Sequence, residues 1–120
     1  VVCLLLNKSS GKKIIPSVKF ARTSWQRLKG LMFENKDSFD YALVFELPSE
    51  SVLQASVHML FVFFPIDIVF LDRKKKVVDI ARALQPFTPN FSPKKPAKFF
   101  VELPFGKADG IKEGDFLDWS

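Results

Sequence analysis

The chain has 120 residues, 48% hydrophobic and 26% charged, which suits one domain with one core and excludes an intrinsically disordered chain. A net charge of +5 is mild, enough for solubility or weak attraction to polyanions and less than a dedicated nucleic-acid binder gathers on one face. One cysteine, Cys3, excludes an intramolecular disulfide scaffold, and fourteen Phe beside a single Tyr read mostly as core.

Residues 1–7 open as a strand whose apolar run VVCLLL buries Cys3 as an inert thiol; the run is too short for a signal peptide. KSSGKK makes a turn. IIPSVKFA (14–21) is extended, with Pro16 marking an edge or a bend. Thr23 followed by Gln26 is a capping box, and Trp25, Leu28 and Leu31 or Met32 recur at helical spacing, so a short helix is expected over 24–31. Gly30 weakens or ends it, and would let it pack closely on a sheet. ENKDSFD is a polar loop. YALVFEL (41–47) and SVLQASVHM (51–59) read as strands on either side of a turn.

FVFFPIDIVFLD (61–72) is apolar but broken by Pro65 and Asp67, well under the ~20 residues of a membrane span. Ile66, Ile68, Val69 and Phe70 instead favour a buried strand beginning after the proline. RKKK (73–76) then joins it to VVDIARAL in a hairpin. QPFTPNFSPKKPA (85–97) holds four prolines and is an extended loop. KFFVELP (98–104) is a strand, FGKADGIKEGD a tight connection, and FLDW a closing strand. The sum is a mainly β chain: a compact barrel or sandwich of seven or eight short strands with one or two short helices.

RLKGLMF, HMLFVFFPIDIVFLD, VELPFG and GIKEGD, in this order, resemble a small prokaryotic family known as domain of unknown function 192, from about Ala21 to Trp119. The resemblance implies a β-rich single domain with a short helix after the second strand, and no activity. Many members carry a Trp-Met-Lys-Asn-Thr stretch ahead of the Pro and Asp; here His58, Met59, Leu60, Phe61 and Val62 stand in its place.

Three residues are candidates for a site. Asp67 sits in a strand apolar on both faces, so its carboxylate needs hydrogen bonds or a cation. Backbone N–H groups of a turn are one set of partners; Arg22, Arg27 or Arg82 is the other. Asp67 is then either a clamp fixing the strand start against the helix or a ligand-site acid. His58, the one histidine, is a core or rim residue, or a base. Arg27 is either solvated or reaches Asp67 or an anionic ligand. With one His and one Cys, no metal site is expected, and no cofactor. No nucleophilic triad or phosphate loop can be built. Asp115, after Gly114, is expected to bond its own turn.

The densest basic runs are Arg73, Lys74, Lys75 and Lys76, and Lys94 and Lys95 with Lys98. At a hairpin tip, residues 73–76 are solvated and guard against edge pairing. If Phe87 or Phe91 lies exposed between the two runs, the runs form a single-strand nucleic-acid surface. The ranking is therefore a non-enzymatic module binding a small molecule or protein in a cleft near Arg27, His58 and Asp67, framed by the proline-rich loop. Single-stranded nucleic-acid binding comes second, and an acid–base enzyme using Asp67 and His58 third. A cytoplasmic location is favoured, with an exported or membrane-anchored form behind a removed leader as the alternative.

Overall fold

The computed structural model describes residues 4–119. Cys3 lies outside the described residues. Among the described residues eight strands form: β1 (Leu5–Asn7), β2 (Lys12–Ile15), β3 (Val18–Ala21), β4 (Ala42–Ser51), β5 (Ile66–Leu71), β6 (Val77–Leu84), β7 (Ala97–Pro104) and β8 (Leu117–Trp119). One helix, α1 (Ser24–Lys29), and a single 3₁₀ turn over Lys36–Ser38 lie between β3 and β4. The strands make two sheets, of order β2-β1-β8 and β3-β4-β7-β5-β6, and the sheets do not close into a barrel. All pairs are antiparallel except β3 with β4, whose connection carries α1 across a parallel pair.

The five-stranded sheet is the middle layer, because its strands are apolar on both faces. All six residues of β5 are buried, as its sequence predicts. Alternate side chains go to opposite sides. Val44, Val69, Leu71, Val101 and Leu103 face the small sheet and meet Leu5, Ile15 and Leu117. Phe45, Ile68, Phe70 and Phe100 face the other way and meet Leu31, Val57, Met59, Val62 and Phe64, from α1's end and from the 52–65 segment.

One expectation is sharpened and three change. The extended stretch 14–21 divides at Pro16 into strands of different sheets, since a residue without an N–H cannot continue a ladder. Residues 52–59 are not a strand. They turn back after β4, and Val57 makes an isolated bridge to Phe91. Met59 accepts from Phe87 N at 2.8 Å and donates to Thr88 O, so the proline-rich segment supplies the bonds a strand neighbour would have supplied. Trp25 and Leu28 stand exposed, because a six-residue helix is too short to bury a full apolar stripe; only Leu31, just beyond it, reaches the core. Of the fourteen Phe, five are buried (39, 45, 64, 70 and 100) and six are exposed.

The helix start is as expected: Thr23 Oγ1 accepts from Gln26 N at 3.0 Å, and Gln26 Oε1 accepts from Thr23 N at 3.2 Å. Its end is Gly30, at φ 46° and ψ −123°, a conformation side chains with a Cβ avoid. The missing Cβ also lets the backbone approach the sheet, since an added one would meet the Phe45 ring at 3.4 Å. Among the described residues no helix is long and apolar enough to cross a membrane.

Candidate functional site

Asp67 is 1% exposed and saturated by backbone donors. Its Oδ1 accepts from Ala83 N at 2.9 Å; its Oδ2 accepts from Gly106 N at 3.0 Å and Ala108 N at 3.1 Å. The reason lies in register. β5 and β6 pair Ile66 with Leu84 and Ile68 with Ala81, so Asp67 faces a bulge of two residues, Arg82 and Ala83. Ala83 takes a φ of 52°, unusual for a residue with a Cβ, and its N–H leaves the ladder. The Asp67 carboxylate receives that N–H and ties the bulge to the turn after β7. No arginine reaches Asp67. Arg82 instead donates to Ala108 O at 2.7 Å and Ile111 O at 2.6 Å, holding the same turn from outside. The anchor thus joins β5 to the 105–111 turn and β6, not to the helix.

A second carboxylate lies across the ladder. β5 pairs Asp67 with Leu103 and Ile68 with Glu102, so Glu102 projects to the opposite face. It is 5% exposed, and its Oε1 has no hydrogen-bond partner among the described residues. Burial pushes its carboxyl up to about 8, so it is mostly neutral at pH 7. Glu102 lines a narrow cleft of about 50 Å³ beneath the end of α1, with Arg27, Gly30, Phe45, His58 and Phe100 around it. Gly30 opens this space: a Cβ there would lie 3.9 Å from Glu102 Oε1. Phe45 and Phe100, neighbours in the β4–β7 ladder, stack at 4.3 Å and form one wall.

Arg27 and His58 come together at this cleft, and Asp67 does not. Arg27 is half-buried and donates to Arg22 O at 2.7 Å, using one of its five N–H groups. His58 is half-buried and accepts from Leu60 N at Nδ1, at 3.2 Å, which leaves the proton on Nε2. The proline-rich loop lies outside the cleft lining. It holds the His58 wall from behind, through Phe91 to Val57 and Ser92 Oγ to Ser56 Oγ at 2.8 Å. Sequence reasoning passed over Glu102, although the signal was the one that singled out Asp67: a carboxylate inside an apolar strand, here VEL.

The basic runs are partly neutralised. Arg73 pairs with Glu50 at 3.6 Å, Lys75 with Asp118 at 2.9 Å, and Lys94 with Glu113 at 3.0 Å and Asp79 at 3.6 Å. Lys75 also lies over the Trp119 ring at 4.2 Å. Lys74, Lys76 and Lys95 are exposed. Phe91 stacks on Phe70, and Phe87 packs against Phe61 and Phe63. Asp115 bonds its own turn through Lys112 N at 3.0 Å, and also takes Asn7 Nδ2 at 2.9 Å. The Asn7 bond holds its carboxyl below the usual range. No group of three or more potential metal ligands occurs among the described residues.

Comparison with known proteins agrees with this architecture. A UPF0127 protein of Thermococcus sibiricus is 43% identical over 118 residues, covering 97% of this chain and 74% of that protein. A UPF0127 protein of Pyrococcus furiosus is 42% identical, with 97% of both chains covered. A crystal structure of a protein of unknown function from Novosphingobium aromaticivorans superposes with a TM-score of 0.83 at 26% identity, covering 99% of this chain and 84% of that one. The model of the family DUF192, described as uncharacterised ACR, matches residues 5–119, and the chain belongs to that family.

Proposed function

We propose that this protein is a small-ligand-binding module whose site is the cleft under α1, formed by Glu102, His58 and Arg27. One observation carries the reading: Glu102 Oε1 is buried and unpartnered, on a residue that lines the cleft bounded by Gly30 and the Phe45–Phe100 wall. A buried carboxyl without a partner costs on the order of 1–3 kcal/mol. A ligand group that hydrogen-bonds to it recovers that cost. At neutral pH the protonated carboxyl both donates and accepts, which suits a hydroxyl, carbonyl or amide.

A competing acid–base reading moves from Asp67 to Glu102. The pair it would use is Glu102 with His58, which line one cleft, and a carboxyl near 8 is poised to exchange a proton close to neutrality. The nucleic-acid reading has less support, because Arg73, Lys75 and Lys94 already face carboxylates.

The test is a heteronuclear NMR titration of the folded protein with a mixed library of metabolites and sugars. Binding should shift Gly30, Ser56, His58 and Phe100 together, and Glu102→Leu should weaken it. Shifts confined to Arg73–Lys76 and Lys94–Lys98, or none in the cleft with any compound, would refute the reading. Chemical change of the bound compound during the titration would establish the acid–base alternative.

A further inference from the structure

The Glu102 cleft does not end at its own walls. Lys98, Phe100 and Glu102 alternate along β7 and share one face of the sheet. Beside Glu102's narrow cleft lies a recess of about 280 Å³, which shares Arg27, Phe45, Ser56 and Phe100 with it. That recess shares Arg27, Leu47 and Pro48 with another of about 280 Å³, where Arg22 and Lys98 stand. The three form one trough along β7. From Glu102 to Lys98 is four residue steps, roughly 14 Å of strand.

The trough changes character along its length. The closed end is small: about 50 Å³, room for a few waters at roughly 10–15 Å³ each and well below the roughly 150 Å³ that takes a benzene ring. It admits a group the size of a hydroxyl or carbonyl and excludes a sugar ring. The middle is apolar, walled by the stacked Phe45 and Phe100. The open end gathers three cations, Arg22, Arg27 and Lys98, against one carboxylate, Glu46, which lies 3.8 Å from Lys98 Nζ. Lys98 Nζ also donates to Leu47 O, which fixes the ammonium over this end.

We propose that the ligand is a linear molecule with an anionic head, carboxylate or phosphate, at Arg22, Arg27 and Lys98, an apolar spacer over Phe45 and Phe100, and an uncharged hydrogen-bonding tip at Glu102. This inference rests on the reading of the cleft as a ligand site. The head is anionic because the open end carries excess positive charge, and an arginine pairs with carboxylate or phosphate through parallel bonds. The tip is uncharged because the Glu102 carboxyl it meets is neutral and the enclosed end has no room for a hydrated ion; Arg27 borders all three parts, whereas Arg22 and Lys98 stand at the open end alone.

Four probes of one length test it by NMR titration: ω-hydroxydecanoate, ω-hydroxydecyl phosphate, the uncharged α,ω-decanediol and ω-hydroxydecylamine. The two anions should bind at least ten times more tightly than the diol, and the amine most weakly; the stronger anion identifies the head group. Arg22→Gln combined with Lys98→Gln, which touch only the open end, should cost the anions about tenfold and leave the diol unchanged. Glu102→Leu, which removes the hydrogen-bonding groups, should weaken all four alike. If the diol or the amine binds as tightly as the anions, the inference fails while the cleft remains a ligand site. The same holds if an uncharged library compound occupies the cleft and no anion does. If no probe and no library compound shifts a cleft residue, both fail.

Discussion

Two buried carboxylates, one residue apart in register on neighbouring strands, meet opposite fates. Asp67 and Glu102 both stand in strands apolar on either side, and both are almost fully buried. Asp67 faces the layer closed by the small sheet and receives three backbone N–H bonds. Glu102 faces the layer closed by α1 and an irregular segment, and its Oε1 receives none. The difference comes from what covers each face. A turn and a bulge expose N–H groups that a carboxylate can accept. The glycine end of a short helix and two Phe rings offer nothing. The first acid is satisfied by its surroundings, and the second is left without a partner, which is why the proposed site is built on it.

Removing the satisfied acid should do the most damage. Asp67→Ala leaves three N–H groups without their charged acceptor, at about 1.5–3 kcal/mol per bond, a loss on the order of 5 kcal/mol in denaturant unfolding. Asp67→Asn keeps one acceptor oxygen and should lose roughly half as much. An unchanged midpoint for both would refute the anchor role.

The unsatisfied acid should show itself through pH. Its folded value of about 8 lies above the ordinary 4.5, so the folded state holds a proton that the unfolded state releases. Its stability contribution is complete below pH 4.5 and is lost as pH rises through 8, about 4 kcal/mol between pH 5 and 9. Glu102→Gln stays neutral throughout. The variant and the native protein should match near pH 5 and diverge toward pH 9, with the variant the more stable. Parallel pH profiles would mean that Glu102 is paired and ionised.

The smallest effect tests a third acid, held on the same principle as Asp67. Asn7→Ala removes the amide that bonds Asp115 and Gly110 O, and should cost roughly 2 kcal/mol at neutral pH. Asp115 is held below its usual value, so its contribution is present above the unfolded value of 3.8 and is lost as pH falls through the folded one. The variant should therefore lose less stability than the native protein on acidification below pH 4. An equal acid loss would show that the Lys112 N–H, not Asn7, holds the carboxylate.

The strands, the capped helix and the β5–β6 hairpin were legible because each is written locally. Thr23 and Gln26 are three residues apart, the apolar run of β5 declares burial on both faces, and Pro65 marks its start. Residues 51–59 were misleading for the opposite reason. Their apolar content matches a strand, but their bonding partners lie some thirty residues further along, in the proline-rich segment. The exposed Phe33, Phe61, Phe63 and Phe87 were unreadable as surface, since side-chain type fixes transfer energy but not which face is covered.

By itself the sequence marked Asp67 as a buried acid, because an apolar run on both faces of a strand is a local property; the same signal around Glu102, in VEL, was passed over. The sequence also placed Arg27 on the helix that ends at Gly30. Only the tertiary structure decided which acid found donors. That outcome depends on cross-strand register, on a bulge at Ala83 and on the approach of Gly30 to Phe45, all set by segments distant in the chain. A one-residue change in pairing would exchange the two faces, and with them the clamp and the cleft.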